Sequence, residues 1–170
     1  MPLRVPLRWI IVVSLVVGSC TPAFADATAF IGVTTTPDNR MTRGFAAGVS
    51  LIIVGFEFEY GDTRQDEVSA APSLRTGMFN MLVQTPGTGT QLYVTAGGGL
   101  YRERLETIGS TPDIVTEQQE THVGINIGGG VKMSVLGPLR LRLDYRLFKL
   151  RGEPLHGNVQ RLYAGANLAF

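Results

Sequence analysis

The residues that lead to Phe170 alternate between two kinds of side chain, and this alternation constrains the fold more than any other feature of the sequence. Every second position is apolar: Leu162, Ala164, Ala166 and Leu168. The positions between them are Arg161, Tyr163, Gly165, Asn167 and Ala169. A period of two is typical of a β-strand, whose successive side chains point to opposite faces. Because an unpaired edge strand would expose backbone N–H and C=O groups, we expect this strand to pair with the first strand and close the sheet into a barrel.

Seven earlier stretches show the same alternation and complete a set of eight predicted strands. The eight segments are residues 27–35, 43–51, 54–61, 74–83, 91–101, 122–135, 139–147 and 161–170. The sequence therefore predicts an all-β, antiparallel, up-and-down arrangement. Short turns near residues 53, 87 and 137 alternate with longer polar connections, which places the longer loops at one end of the barrel. In the fourth segment Arg75 and Asn80 fall on opposite faces, which predicts a β-bulge.

Two glycine triplets, at residues 97–99 and 128–130, indicate how the fifth and sixth strands pair. If Gly97 lies opposite Gly130 and Gly99 lies opposite Gly128, the apolar faces of the two strands agree. The centre of the hairpin then falls at Asp113, where turn-forming residues occur. We therefore predict this register. The triplets lie inside strands with no helix after them, so a phosphate-binding loop is not expected.

The N-terminal segment has the features of an export signal. Two arginines precede an apolar run at residues 9–17, and the small-x-small motif Ala23-Phe24-Ala25 follows. This order is typical of a secretory signal peptide that is removed after its last alanine. The alternative is a lipoprotein signal in which Cys20 is lipidated. We expect a signal peptide at residues 1–25 and one β-barrel domain at residues 26–170.

Composition and length exclude several classes of protein. Cys20 is the only cysteine, so a chain that begins at Asp26 has no thiol for disulfide or redox chemistry. The formal net charge of +1 argues against a nucleic-acid partner. After the export signal, the stretch Gly44–Phe56 has no charge, but it is shorter than the about 20 residues that a membrane-spanning helix needs. Membrane residence would therefore require an eight-stranded antiparallel up-and-down transmembrane β-barrel, because a closed barrel satisfies its backbone in lipid.

Together these features resemble the small outer-membrane β-barrels of the OmpA, OmpX and opacity-protein kind. The resemblance rests on the export signal, the eight alternating segments and the terminal strand. Within that strand Leu162, Tyr163, Leu168 and Phe170 resemble the signal read by the outer-membrane assembly machinery. The resemblance implies a porin-like monomer, integral in the cell outer membrane of a Gram-negative bacterium. Its implied partners are outer-membrane lipid, lipopolysaccharide and the assembly machinery.

Several charged residues share the more polar strand faces and are expected to point into the barrel. The third strand carries two glutamates on one face, and the seventh carries arginines and an aspartate. Strands four apart in an eight-stranded barrel face each other across an interior that side chains fill. Because opposite charges can satisfy one another there, we predict an ion-pair plug of Glu57, Glu59, Lys132, Arg140, Arg142, Asp144 and Arg146. The alternative is that these charges lie near the barrel ends in water, where ion pairs contribute little.

Aromatic and basic residues near the predicted strand ends indicate how the barrel would meet a membrane. The aromatic residues are Tyr60, Tyr93, Tyr101, Tyr145 and Phe170, and their position predicts aromatic girdles. Arg102 and Arg104 lie just beyond the apolar part of the fifth strand. We interpret these two as candidates for contact with lipopolysaccharide phosphates, with a solvated rim as the alternative.

Three functions stay open at this point, and the favoured one is a structural, adhesive or surface-interaction role with a filled lumen. It includes no enzymatic activity, cofactor or metal, and a diffusion pore is disfavoured because eight strands leave no open channel. A lipid A-modifying enzyme would need His122 or His156 beside a serine and an acid. A soluble periplasmic ligand-binding barrel would turn Phe56 and Leu141 inward and Glu57 into water.

Overall fold

The chain folds into a closed barrel of eight strands. The computed structural model describes residues 23–66, 71–87, 89–104, 121–152, 154 and 156–170. The strands are β1 (Ala23–Thr34), β2 (Arg40–Leu51), β3 (Val54–Thr63), β4 (Ser73–Gln84), β5 (Thr90–Arg104), β6 (Thr121–Leu136), β7 (Leu139–Leu150) and β8 (Asn158–Ala169). Each strand pairs antiparallel with its neighbours in sequence, which confirms the predicted eight-stranded up-and-down barrel. Across the described ranges, no helix has the length and apolar character that crossing a membrane requires.

The last strand closes the barrel on the first. β8 pairs antiparallel with β1, from Ala169 opposite Asp26 to Arg161 opposite Thr34. Two further backbone hydrogen bonds of 2.9 Å join Ala25 and Phe170. These bonds satisfy the edge that the terminal strand would otherwise expose, and the predicted closure is confirmed. Residues 1–22 of the predicted signal peptide, with Cys20, lie outside the described residues, and its last three residues begin β1. Cleavage after Ala25 stays a prediction.

The two ends of the barrel differ in the length of their connections. At one end, called here the turn end, β2–β3 and β6–β7 are joined by two residues each and β4–β5 by five. Gly137, with φ +54°, makes one of these turns in the left-handed region that glycine enters at no steric cost. The other end, called here the loop end, carries connections of five, nine, sixteen and seven residues. This asymmetry is typical of outer-membrane barrels.

The barrel turns its apolar side chains outward and its charged side chains inward. Phe79 is 71% exposed and Ile127 is 60% exposed, whereas Arg142 and Arg146 are completely buried. A soluble protein with a ligand cavity has the opposite arrangement. The soluble ligand-binding alternative is therefore wrong in its predicted orientation, because Phe56 and Leu141 face outward. A sheet that is apolar outside suits a hydrocarbon solvent.

The register predicted for β5 and β6 is wrong by four residues. Gly97 lies opposite Asn126, and Gly130 lies opposite Tyr93. A register shift of an even number of residues leaves every side chain on the same face of the sheet. The alternation therefore could not distinguish the two registers. The observed register sets the Tyr93 ring beside Gly130, where an added Cβ atom would lie only 2.6 Å from the Tyr93 Oη. Gly97 opposite Gly130 would take this space away from the Tyr93 ring and leave it unfilled.

The β-bulge predicted in β4 is also absent from the described pairing. β4 keeps one register against β3 and one against β5 along its whole length. Asn80 points inward, while Arg75 points outward at the loop end and lies 3.3 Å from Asp62. No bulge is needed, because Arg75 lies at the end of the outward face, where its side chain reaches beyond the apolar surface. The register irregularity lies instead at Ser134–Leu136, where β6 meets β7.

Gly99 allows β5 to approach β4, and this contact leads to a prediction about stability. A Cβ atom at Gly99 would lie 2.0 Å from the Gly77 carbonyl oxygen, whereas at Gly98 the nearest such atom is 3.5 Å away. We expect Gly99→Ala to lower the free energy of unfolding by about 1–3 kcal/mol, because the backbones must separate. Gly98→Ala, the matched control, should change it by less than about 0.5 kcal/mol. Denaturant unfolding in lipid vesicles, followed by far-ultraviolet circular dichroism, measures both; equal values would contradict the prediction.

Candidate functional site

The barrel interior contains a group of charged side chains from strands that are not all neighbours in the sheet. The group comes from β3, β7 and β8, and we call it the lumen cluster: Glu57, Glu59, Arg142, Asp144, Arg146 and Arg161. Five of its six members are among the seven residues for which the sequence predicts an ion-pair plug. Alternation along each strand places them on the inward face. The other two predicted residues, Lys132 and Arg140, lie nearer the turn end and have separate partners.

Arg142 connects both sides of the lumen cluster. Its Nη1 and Nη2 donate to the two carboxylate oxygens of Glu57 across the barrel, and Nη2 lies 3.0 Å from Asp144 Oδ2. Its Nε donates to the Tyr93 hydroxyl at 2.7 Å, and that hydroxyl in turn donates to Asp144. A bidentate guanidinium–carboxylate pair fixes both distance and orientation. Arg142 therefore holds β3, β5 and β7 in one arrangement.

Arg146 and Arg161 extend the same network toward the loop end. Arg146 Nη2 lies 3.0 Å from oxygens of both Glu57 and Glu59, and its Nε donates to Asp144 Oδ1 at 3.0 Å. Arg161 Nη1 lies 3.3 Å from Glu59 Oε1. The Tyr163 hydroxyl donates to the second oxygen of Glu59 at 3.0 Å. Each carboxylate of the cluster thus accepts hydrogen bonds from more than one donor.

The lumen cluster is electrically balanced. It contains three carboxylates and three guanidinium groups, so its formal charge is zero. Burying charges is expensive, and a buried pair offsets that cost only when the geometry is good and further hydrogen bonds satisfy the remaining donors and acceptors. Here every charged group has an oppositely charged neighbour. The arrangement fills the middle of the interior with paired charges.

Lys132 and Arg140 line a small cavity at the turn end. Lys132 Nζ lies 2.6 Å from Asp26 Oδ2, and both side chains are almost completely buried. Arg140 is half-buried and donates to Gln91 Oε1 at 2.8 Å. The cavity has a volume of about 170 Å³ and is also lined by Gln84. These residues give the turn-end cavity charged and amide groups in its lining.

The loop end of the interior is filled by different side chains. On the side formed by β4, β5, β7 and β8, one apolar group packs together: Leu74, Met78, Tyr101, Phe148, Leu150 and Val159. On the side formed by β1, β2 and β3, the hydroxyls of Thr34, Thr42 and Thr63 lie 2.7–3.2 Å apart. Both groups are buried. The interior is therefore packed with side chains above the lumen cluster as well as within it.

Sequence reasoning missed four important interior residues. Arg161 and Asp26 lie on inward faces that the alternation does indicate, but their partners are on distant strands and only the closed barrel brings them together. Tyr93 was expected in an aromatic girdle, as was Tyr101, and for both the prediction is wrong. Both tyrosines are buried, because they lie on the inward face of β5, the same face as Gly97. The same face assignment, applied to the tyrosines, would have placed them correctly.

The residues that resemble an assembly signal occupy both faces of β8. Leu162, Leu168 and Phe170 are exposed on the outside, whereas Tyr163 is buried and stacks on Phe30 with ring centroids 4.2 Å apart. Recognition by the assembly machinery stays a prediction.

The two histidines lie at the loop end. His122 faces inward on β6, and its ring packs at 5.6 Å from that of Tyr101. Three serines fall in the described part of the chain. Ser50 and Ser134 lie at the turn end, and Ser73 belongs to the outward face of β4, where its hydroxyl donates to Arg104 O. Within that part of the chain, no serine lies on the inward face at the loop end, where His122 lies.

An eight-stranded antiparallel barrel with an apolar exterior and a charged interior is the fold of the small outer-membrane β-barrels. No protein-family model matches the sequence, and no curated protein matches it either. Among solved structures, Neisserial surface protein A has a TM-score of 0.67 at 18% identity, over 87% of this chain and 97% of that one. The N-terminal barrel of Pseudomonas aeruginosa OprF gives 0.61 at 19%, over 86% and 97%.

A third similar structure is Ail, the attachment invasion locus protein of Yersinia pestis, in complex with the heparin analogue sucrose octasulfate. Its TM-score is 0.57 at 13% identity, over 87% of this chain and 98% of that one. At these identities the likeness is one of fold. It confirms the expected class of barrel and carries no statement about ligands.

Proposed function

We propose that this chain is an integral β-barrel of the bacterial outer membrane that does not conduct and that acts at the cell surface in a structural, adhesive or interaction role. The observation that carries the proposal is the inverted distribution of side chains, apolar outside and charged inside. Such a molecule cannot be solvated by water on its outer face without exposing a large apolar surface. A lipid bilayer removes that cost.

The dimensions of the outward apolar face support residence in a membrane. On β5 this face runs from Leu92 to Leu100, and on β6 from Val123 to Val135. With a rise of about 3.3 Å per residue and a strand tilt of about 40°, these stretches span about 20–30 Å along the membrane normal. The apolar band of outer-membrane barrels is about 25 Å tall. The length of the strands is therefore matched to a bilayer.

The packed interior supports a role outside transport. The lumen cluster and the apolar group above it occupy the space through which a solute would pass. The surface at the loop end, where the long connections lie, is the region available for interaction. The similar fold of Ail, an attachment protein seen with a heparin analogue, supports a surface-binding role of this kind.

Planar bilayer recordings on the purified barrel test the proposal. We expect the conductance to stay at the background of the bilayer, whereas a sixteen-stranded porin in the same bilayer conducts. The sample should also migrate differently on a gel before and after heating, and should fractionate with the outer membrane. Steady conductance would contradict the packed interior, and recovery in the soluble periplasmic fraction would contradict membrane residence.

A further inference from the structure

A row of charged side chains runs across the outside of the barrel at the loop end. Strand pairing places Arg43 opposite Asp62, Asp62 opposite Arg75, and Arg75 opposite Arg102. The row then ends at Thr121 on β6, opposite Arg102. All five residues are on outward faces of consecutive strands, β2 to β6. We call Arg43, Asp62, Arg75 and Arg102 the arginine row.

The arginine row carries excess positive charge and is open to its surroundings. The side chains of Arg43 and Arg75 are 65% and 64% exposed. Both use Nε toward Asp62, at 3.8 and 3.3 Å, and Arg102 uses Nε to donate to Thr121 at 2.7 Å. Three arginines and one aspartate leave a formal charge of +2. Among the described residues, these contacts engage one nitrogen of each guanidinium, so its two terminal amino groups can still donate to an anion.

The pairing of Arg75 with Arg102 indicates where an anion would bind. Like charges directly opposite each other on adjacent strands are destabilising. Asp62 lies on the other side of Arg75, so it does not separate the two arginines. An anion between their guanidinium groups would remove the repulsion and accept paired hydrogen bonds from each. Phosphate oxygens match this fork geometry well.

The height of the arginine row on the barrel identifies the source of the anion. The next outward position toward the turn end is apolar on each of four strands: Phe45, Tyr60, Leu100 and Val123. Two residues along a tilted strand correspond to about 5 Å along the membrane normal. The guanidinium groups therefore lie just beyond the hydrocarbon, at the level of lipid headgroups.

The outward charges of the described strands lie toward the same end of the barrel. On the described strands, the outward-facing charged residues are Arg43, Asp62, Arg75, Arg102, Arg104 and Lys149, and all belong to the loop-end portions. The turn-end portions of these strands have no charge on their outward faces. Net positive charge at one end only suits a membrane in which the leaflet at that end carries more anionic headgroups.

We propose that the arginine row binds the phosphate groups of an anionic lipid of the outer leaflet, the phosphorylated lipid A of lipopolysaccharide. This inference rests on the proposed function, since it requires a barrel in the outer membrane with the loop end outside. Arg75 and Arg102 hold one phosphate between them. Arg43, with Asp62 orienting it, contacts the same headgroup from β2.

Native mass spectrometry of the folded barrel in detergent, titrated with bisphosphorylated lipid A, tests this site. We expect Arg75→Gln with Arg102→Gln to weaken binding by at least about tenfold, because two charge-assisted contacts are lost. Lys149→Gln with Arg151→Gln removes the same charge from the loop end on another side of the barrel. That control should weaken binding by less than about threefold, since it removes only long-range attraction. Lipid A stripped of its phosphates should bind the wild type as weakly as intact lipid A binds the first variant.

The same titrations distinguish phosphate recognition from general charge attraction and from binding of a sulfated sugar. Equal weakening in both variants would overturn the site, since it would mean that general charge alone attracts the lipid. Sucrose octasulfate that displaces lipid A at equimolar concentration would also overturn it, in favour of a sulfated sugar as ligand. Inorganic phosphate should compete only in large excess, because it lacks the acyl chains that hold the headgroup at this height. All variants must show heat-modifiable migration. A loss of lipid A binding can then be distinguished from failure to form a membrane barrel.

Discussion

Replacing Arg142 with methionine should lower the free energy of unfolding by about 3–5 kcal/mol, because it leaves buried carboxylates without a cation. Arg142 donates to Glu57, Asp144 and the Tyr93 hydroxyl, and its side chain is inaccessible to solvent. Methionine keeps much of the volume and none of the donors. Guanidinium unfolding of the barrel in lipid vesicles, followed by far-ultraviolet circular dichroism, measures the change.

Two further variants make the Arg142 experiment specific to the lumen cluster. Arg140→Met removes an arginine two residues away on the same face, but this one is half-buried and bonded to neutral Gln91, so its loss should cost less than about 1 kcal/mol. Glu57→Met combined with Arg142→Met removes a balanced pair and should recover part of the loss, as apolar replacements of buried pairs do. A single Arg142→Met variant as stable as Arg140→Met would mean that water screens the cluster.

Alternation carries most of the fold information in this sequence. It predicts eight strands, their order and the two faces of each, because a barrel in lipid needs one apolar and one polar face on every strand. Closure followed from the terminal strand, since a strand without a partner would leave backbone groups unpaired beside lipid. These features depend only on residue order along each strand. For that reason they could be obtained without knowledge of contacts between strands.

Contacts across the barrel required the structure. The register of β5 on β6 depends on the fit of the Tyr93 ring beside Gly130, and an even slip leaves the pattern of faces unchanged. The pairing of Arg161 with Glu59 depends on the reach of two side chains from β8 and β3. Such pairs follow from the stagger of the strands around the barrel, which sequence periodicity does not encode. The sequence therefore predicted most of the residues in the lumen cluster, but it did not predict which of them pair with each other.

Introducing an arginine on the outer face tests the orientation on which both proposals depend. Ile127 is 60% exposed and lies near the middle of the outward apolar stretch of β6. We expect Ile127→Arg to lower the free energy of unfolding in lipid vesicles by about 2–4 kcal/mol, the cost of a cation at the bilayer midplane. The measurement is the same guanidinium titration.

Val123→Arg supplies the matched control for depth in the membrane. Val123 lies on the same strand and face, but it is four residues nearer the loop end and lies opposite Leu100, one step from the arginine row. There a cation reaches the headgroup level, and the expected cost falls to about 0–1 kcal/mol. A face in contact with water would tolerate both arginines equally. Since both side chains lie on the outside of the barrel and are exposed to a similar degree, only a hydrocarbon layer of limited thickness accounts for a difference between them.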